Sequence, residues 1–426
     1  MKNTLTRLYN LGQSKTAKNT YILFTGNVLD AFFGFLFIVL IVRNGLLSTS
    51  DFGIFSAIAN FVIIVYSLLD IGIGGTLINF ISFHHSQGDE TTAHKYFQAG
   101  LFLRFGASLL ISLAVMVFSW LIGPRLFLTG ELQPVILAGL AILTLSLIDV
   151  FVYSFQAYQK FMLAALASLT FTTVRLFFLI SFMTLGLTLS LTTAMAMVAL
   201  APLLGIVLSA YYFRSFFSLR LPDKHIIKSL LSFSGWMGVT RIFSSITGRL
   251  DVQQMLLLAG PTATGTYSVA ARIATFYSII IGSFTAVLAP KFAAGQPLSQ
   301  LQPFVKKALL VISGLIAAMV LGIIIARPFI ILLFGQRSSA SILPFQALTV
   351  AFIPFVASTL ATTIIIYNLK KPKVLGLLTV MQLACVFLGN LLFIPRFGSI
   401  GPAITLGITN LLVLIISSSY VLSKWR

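Results

Sequence analysis

The sequence predicts an all-α polytopic membrane protein, with twelve transmembrane helices in two parallel-repeat six-helix lobes around a central cavity. Three observations predict it. Of 426 residues, 58% are hydrophobic and 9% charged, with a mean hydropathy of +1.02; soluble chains carry roughly a quarter charged residues and about 45–50% apolar ones. The apolar residues also fall into long runs, each near the roughly 20 residues that one bilayer crossing needs. Finally, the second half of the chain repeats landmarks of the first.

Met1–Asn19 carries Lys2, Arg7, Lys15 and Lys18 ahead of an apolar run too long for a signal-peptide core, which makes an uncleaved first span at 19–43. Charged or Gly/Pro-rich breaks then separate spans at 52–82, 97–122, 133–157, 161–186 and 190–213. The second half gives 229–258, 264–290, 304–327, 340–368, 373–394 and 399–422. In a bilayer such runs must be helical, because only a helix or a closed barrel satisfies its own backbone there.

Phe52-Gly53-Ile54-Phe55-Ser56-Ala57 opens span two, and Thr264-Gly265-Thr266-Tyr267-Ser268-Val269-Ala270 opens span eight. At nearly the same offset, Tyr158-Gln159-Lys160 after span four answers Leu369-Lys370-Lys371 after span ten. Six spans per half is an even number, so the halves share one orientation and the repeat is parallel. The polar, basic stretch Arg214–Lys228, with Pro222-Asp223 as a helix start, is expected to link a lobe at 1–213 to a lobe at 229–426.

With the N-terminus inside, 18 of the 28 Lys and Arg fall on the cytoplasmic side, including every lysine. That asymmetry predicts cytoplasmic termini and explains most of the +19 net charge as topology and attraction to anionic inner-leaflet lipids, not to nucleic acid. The single cysteine, Cys385, permits no intrachain disulfide. His84, His85 and His94 sit with Asp89 and Glu90 in the loop after span two, a solvated loop in preference to a metal site. No phosphate-binding loop, no nucleophile with a base at diagnostic spacing and no sizeable soluble domain is present, so transport is expected in place of covalent chemistry, with no cofactor.

Several stretches together resemble the polysaccharide-unit (O-antigen type) flippases of the multidrug/oligosaccharidyl-lipid/polysaccharide exporter superfamily. They are Asp51-Phe52-Gly53-Ile54-Phe55-Ser56, Leu69-Asp70-Ile71-Gly72-Ile73, Arg249-Leu250-Asp251 and Gly265–Ile273, then Asn368–Lys373 and Ile394–Ala403. Their order and spacing run over essentially the whole chain. The resemblance implies a V-shaped pair of six-helix lobes in a bacterial inner membrane that moves a lipid-linked oligosaccharide outward. It also implies polysaccharide polymerase and glycosyltransferases as partners. Twelve spans, and Asp30 in the first, favour an O-antigen, capsule or exopolysaccharide unit over the peptidoglycan precursor. A drug or small-cation exporter on the same fold is the alternative. A polysaccharide polymerase or ligase would need a longer outer loop, and a scaffold would need no cavity.

The informative residues are the intramembrane charges, each costing about 2.5–3.5 kcal/mol at mid-bilayer unless it meets water or a partner. Arg104, Arg175, Arg241, Arg249 and Arg272 form the cationic set expected to hold a pyrophosphate, since a guanidinium fork binds phosphate oxygens bidentately and keeps its charge when desolvated. Asp30, Asp70, Asp149 and Asp251 are the expected ion-coupling carboxylates, for H⁺ or Na⁺. The competing expectation is that arginines and aspartates simply pair and pin helices together; five arginines exceed four aspartates, so one-to-one pairing leaves a cation over. Asp70 precedes Gly72, Gly74 and Gly75, which predicts a hinge or a cation site, or else close helix packing of small residues.

Overall fold

A computed structural model describes residues 15–70, 72–217, 222–294 and 298–424, with backbone alone at 15–18, 20, 233–241 and 298–299. All regular structure among these residues is helical. In chain order the main helices are α1 (Lys15–Arg43), α2 (Thr49–Asp70), α3 (Ile73–Ser86), α4 (Glu90–Val117), α5 (Gln133–Ala157), α6 (Phe161–Thr184), α7 (Leu191–Leu200) and α8 (Pro202–Tyr212). There follow α9 (Lys224–Thr247), α10 (Leu250–Ala293), α11 (Gln302–Ile324), α12 (Ala326–Phe334), α13 (Ile342–Thr363), α14 (Pro372–Phe397) and α15 (Gly401–Lys424). Starts follow local chemistry. Asp89 caps α4 by accepting from the Thr92 amide at 3.0 Å, and hydrogen bonding from Thr92 holds its carboxyl below the usual carboxylate range. Ser190 and Thr193 form a capping box on α7.

Ten stretches among the described residues are long and apolar enough to cross a membrane, where the sequence predicts twelve. Two are double-length: Ile242–Ala293 has 52 residues and Pro372–Lys424 has 53, roughly 80 Å each at 1.5 Å per residue, far more than a 30 Å hydrocarbon core. The second breaks at 398–400 between α14 and α15. The first breaks at Gly248-Arg249 and again at Gly260, whose φ of 82° no helix accepts. Predicted span seven is therefore divided near its end. Span two breaks as well, at Gly72 with φ 78°, between α2 and α3.

The described chain divides into two compact units, interleaved in sequence. Unit 1 draws on 1–40, 61–125 and 129–242, and unit 2 on 41–60, 126–128 and 243–426. In unit 1, α5 packs on α3, α4, α6, α7 and α8. Its core ends in an aromatic stack where Phe97, Phe151, Phe155 and Phe216 surround Phe213, whose ring centroid lies 4.8 Å from those of Phe97 and Phe155. In unit 2, α13 packs on α10, α11 and α15 over a core that includes Phe292, Met319, Val356 and Ile365. Long apolar side chains such as Leu110, Leu310 and Ile324 stand outward, about three-quarters exposed, as a hydrocarbon solvent permits. Cys385 is half-buried on α14.

The repeat is physical. Within unit 2, a Cβ on Gly53 would come within 2.0 Å of the Pro261 carbonyl oxygen, and one on Gly265 within 2.0 Å of that of Thr49. Each glycine thus opens the approach of the other's helix, and the four positions keep one sequence offset. The turns after the fourth helical run of each half match as well: Gln159 has φ 58° and Lys370 φ 53°, both left-handed without being glycine.

Candidate functional site

The intramembrane charges gather into three groups, each within one unit. The first lies in unit 1 around Arg104 of α4, which is 1% exposed. Its guanidinium stands 3.6 Å from Asp70 and 3.8 Å from Asp149, and donates to the Tyr66 carbonyl at 3.2 Å. Asp70 also accepts from the Gly74 amide at 3.1 Å, so the carboxylate that ends α2 caps the start of α3 across the break. Gly74 itself leaves room for the Tyr153 ring, which a Cβ would meet at 2.3 Å. The segment thus combines a helix break at Gly72 with close packing at Gly74. Arg104 bridges two carboxylates, the helix-pinning arrangement, while the Asp149 side chain remains 32% exposed.

The second group joins Asp30 on α1 to Thr172 and Arg175 on α6. The Thr172 hydroxyl donates to Asp30 at 2.8 Å, and Arg175 adds electrostatic attraction. The Arg175 guanidinium lies over the rings of Phe37 and Phe171, 4.3 and 4.6 Å from their centroids.

The third group lines a cavity of about 340 Å³ in unit 2. Arg249, between α9 and α10, donates to the Asn60 side-chain oxygen at 3.2 Å; Arg272 comes from α10. The cavity's only carboxylate among the described residues is Asp251, which accepts from the buried Tyr267 hydroxyl and from the Val252 amide at 2.8 Å. Ser56, Ser244, Ser245, Ser268, Thr275 and Ser278 add hydroxyls. The Gly260 kink lies between Asp251 and Tyr267 in sequence. Two guanidiniums face hydroxyl donors and one engaged carboxylate, an arrangement suited to an anion with several oxygens.

Of the predicted arginines, Arg249 and Arg272 come together in unit 2, Arg175 and Arg104 belong to unit 1, and the Arg241 side chain lies outside the described residues. The sequence reading missed Tyr267, Asn60, Thr172 and the serines. The Tyr267-Ser268 pair in the repeat motif and the serine pair before Gly248 are the signals that lead to the unit 2 cavity. His84 and His85 pair with Asp89 and Glu90 at 3.6 and 2.5 Å, and no three metal-ligating side chains converge among the described residues.

These helices have the fold of MOP superfamily transporters. A multidrug resistance MATE family transporter in its inward-facing conformation superposes with a TM-score of 0.72 at 13% identity, covering 93% of this chain and 94% of that one. The outward-facing conformation of such a transporter gives 0.61 at 16%, covering 95% and 94%. A MOP superfamily transporter from Pyrococcus furiosus, described as having reverse polarity of its binding pocket, gives 0.59 at 14%, covering 96% and 93%. No curated protein matches the sequence. The family model for polysaccharide biosynthesis proteins matches residues 16–296, and the chain belongs to that family.

Proposed function

We propose that the protein is a flippase that carries an undecaprenyl-pyrophosphate-linked oligosaccharide unit, for O-antigen, capsule or exopolysaccharide, from the inner to the outer leaflet by alternating access. The observation that carries this reading is the unit 2 cavity, where Arg249 and Arg272 face hydroxyls and a single, already hydrogen-bonded carboxylate. A drug cation would be repelled there, whereas a diphosphate gains charge-assisted hydrogen bonds. The lobes are 1–213 and 229–426 joined by 214–228, with both termini cytoplasmic in a bacterial inner membrane. No bond is made or broken.

An inside-negative potential favours the loaded step by about 4–5 kcal/mol per 100 mV for two negative charges. Return of the empty, cation-lined carrier is the step that needs an ion. Asp30 beside Thr172, and the Asp70–Arg104–Asp149 cluster with one carboxylate in excess, are the sites for that H⁺ or Na⁺. Both belong to unit 1, away from the phosphate-binding arginines in sequence.

Deleting the gene tests the reading. The expected outcome is accumulation of undecaprenyl-linked units on the cytoplasmic face and loss of surface polysaccharide, restored by the wild-type gene and not by Arg249→Gln/Arg272→Gln. Unchanged lipid intermediates together with new sensitivity to cationic drugs would transfer the protein to the exporters.

A further inference from the structure

At one end of unit 1 the turns around 86–90, 158–160 and 212–216 enclose a pocket of about 630 Å³. Its wall includes Tyr158, whose side chain is more than nine-tenths buried and whose hydroxyl has no hydrogen-bond partner among the described residues. A buried hydroxyl left unpaired costs about 1–3 kcal/mol, so its persistence in a pocket wall points to a ligand that accepts from it. Burial pushes this hydroxyl's pKa upward, so it keeps its proton and remains a donor.

The surroundings favour an anion. Lys160, exposed at the pocket, is the N-cap residue of the 24-residue helix α6, and no side chain caps that N-terminus. Glu90, the pocket's carboxylate, is engaged by His85 at 2.5 Å. Tyr212 belongs to this wall and also to a second cavity, of about 520 Å³, running along α6 and α8. That groove is mostly apolar, lined by Leu163, Leu166, Ala167 and Leu208, and it carries Arg214 and Ser215. Leu166 and Leu208 are more than half exposed, so the groove opens to the surroundings of the helices. Arg214 lies over the Tyr211 ring, 4.2 Å from its centroid, as a cation does at a membrane interface, and no carboxylate among the described residues pairs with it.

A polar, cation-bearing pocket and an apolar groove that share Tyr212 as a wall residue offer the two kinds of surface that an amphiphile needs. We infer that this end of unit 1 is a binding site for an anionic glycerophospholipid of the cytoplasmic leaflet. The phosphate meets Lys160, Tyr158 and the N-terminus of α6, with Arg214 as the second cation. An acyl chain lies along Leu163, Leu166 and Leu208. The site shares no residue with the arginine cavity, so lipid binding is tested separately from the transported substrate, while the leaflet follows from the proposed orientation.

Native mass spectrometry of the purified full-length protein tests it, with phosphatidylglycerol and phosphatidylcholine of identical chains. Phosphatidylglycerol should be retained selectively, and Lys160→Gln and Arg214→Gln should each weaken retention about fivefold, following the contribution of one basic residue at an anionic surface. Both residues are exposed, so the variants fold. Tyr158→Phe should weaken it less, and Leu208→Trp should block the groove. Equal retention of phosphatidylcholine, or indifference to all four substitutions, would overturn the inference. Displacement by glycerol phosphate alone would show a headgroup site without a lipid. Displacement by undecaprenyl phosphate at lower concentration than by phosphatidylglycerol would assign the groove to the substrate's tail. Either result rejects the structural lipid.

Discussion

Within its spans, unit 1 sets three carboxylates against two guanidiniums among the described residues and closes most of them onto one another, Arg104 between Asp70 and Asp149, and Arg175 near Asp30. Unit 2 does the reverse. It brings Arg249 and Arg272 to a cavity whose one carboxylate is occupied by Tyr267 and a backbone amide. In unit 1 the charges largely neutralise each other and hold helices; in unit 2 positive charge is left over. A repeated fold has therefore been given two electrostatic characters, and the difference lies in where the aspartates sit and which neighbours they have.

The sharpest way to break this contrast is Arg104→Met. Removing the cation between two carboxylates should cost about 3–5 kcal/mol, read as a lowered midpoint in a thermal melt of the detergent-purified protein. Adding Asp70→Asn and Asp149→Asn should recover much of the loss, because the uncompensated charge is then gone. Arg249→Gln/Arg272→Gln should behave in the opposite way. Membrane level and melting midpoint should stay near wild type, while export falls about a hundredfold, taking about 1.5 kcal/mol or more for each charged hydrogen bond lost. If the double variant melts early instead, its arginines are structural like Arg104.

Gly53→Val should cost about 1–3 kcal/mol by overpacking, measured in the same melt, since the added carbon meets a backbone oxygen with no side chain to move aside. Gly265→Val should cost the same, which would sharpen the equivalence of the two positions. The smallest effect is expected for Thr172→Val, about 1 kcal/mol from the lost hydrogen bond to Asp30. Its measurable consequence is a shift in the proton or sodium concentration that half-saturates transport in vesicles.

Hydropathy made the apolar runs visible because burial in hydrocarbon acts on every residue of a span at once. It did not reveal the division of predicted span seven, since Gly248-Arg249 inside an apolar run reads as an intramembrane charge when it is also a helix end. The break after Asp70 was legible because three glycines follow it within five residues, a density ordinary helices avoid. The intramembrane charges can be read from the sequence, and their neighbours cannot. Arg104 and Arg249 look alike in sequence, and only the approach of Asp70 and Asp149 to one, and of Asn60 to the other, separates them. Such contacts join positions tens to hundreds of residues apart, beyond the reach of local pattern.

The crossing of Gly53 and Gly265 has one further consequence. Thr49 faces Gly265 as Pro261 faces Gly53, so each surface meets its own counterpart. Self-complementary contact of this kind is the signature of a twofold homodimer. A six-helix ancestor that paired with itself, followed by duplication and fusion, would leave such a mark. Fusion also frees the two copies from having to stay identical, and in a symmetric pair any arginine gained on one side appears on the other. The difference between the closed charge clusters of unit 1 and the cation-bearing cavity of unit 2 is something only the joined chain could acquire.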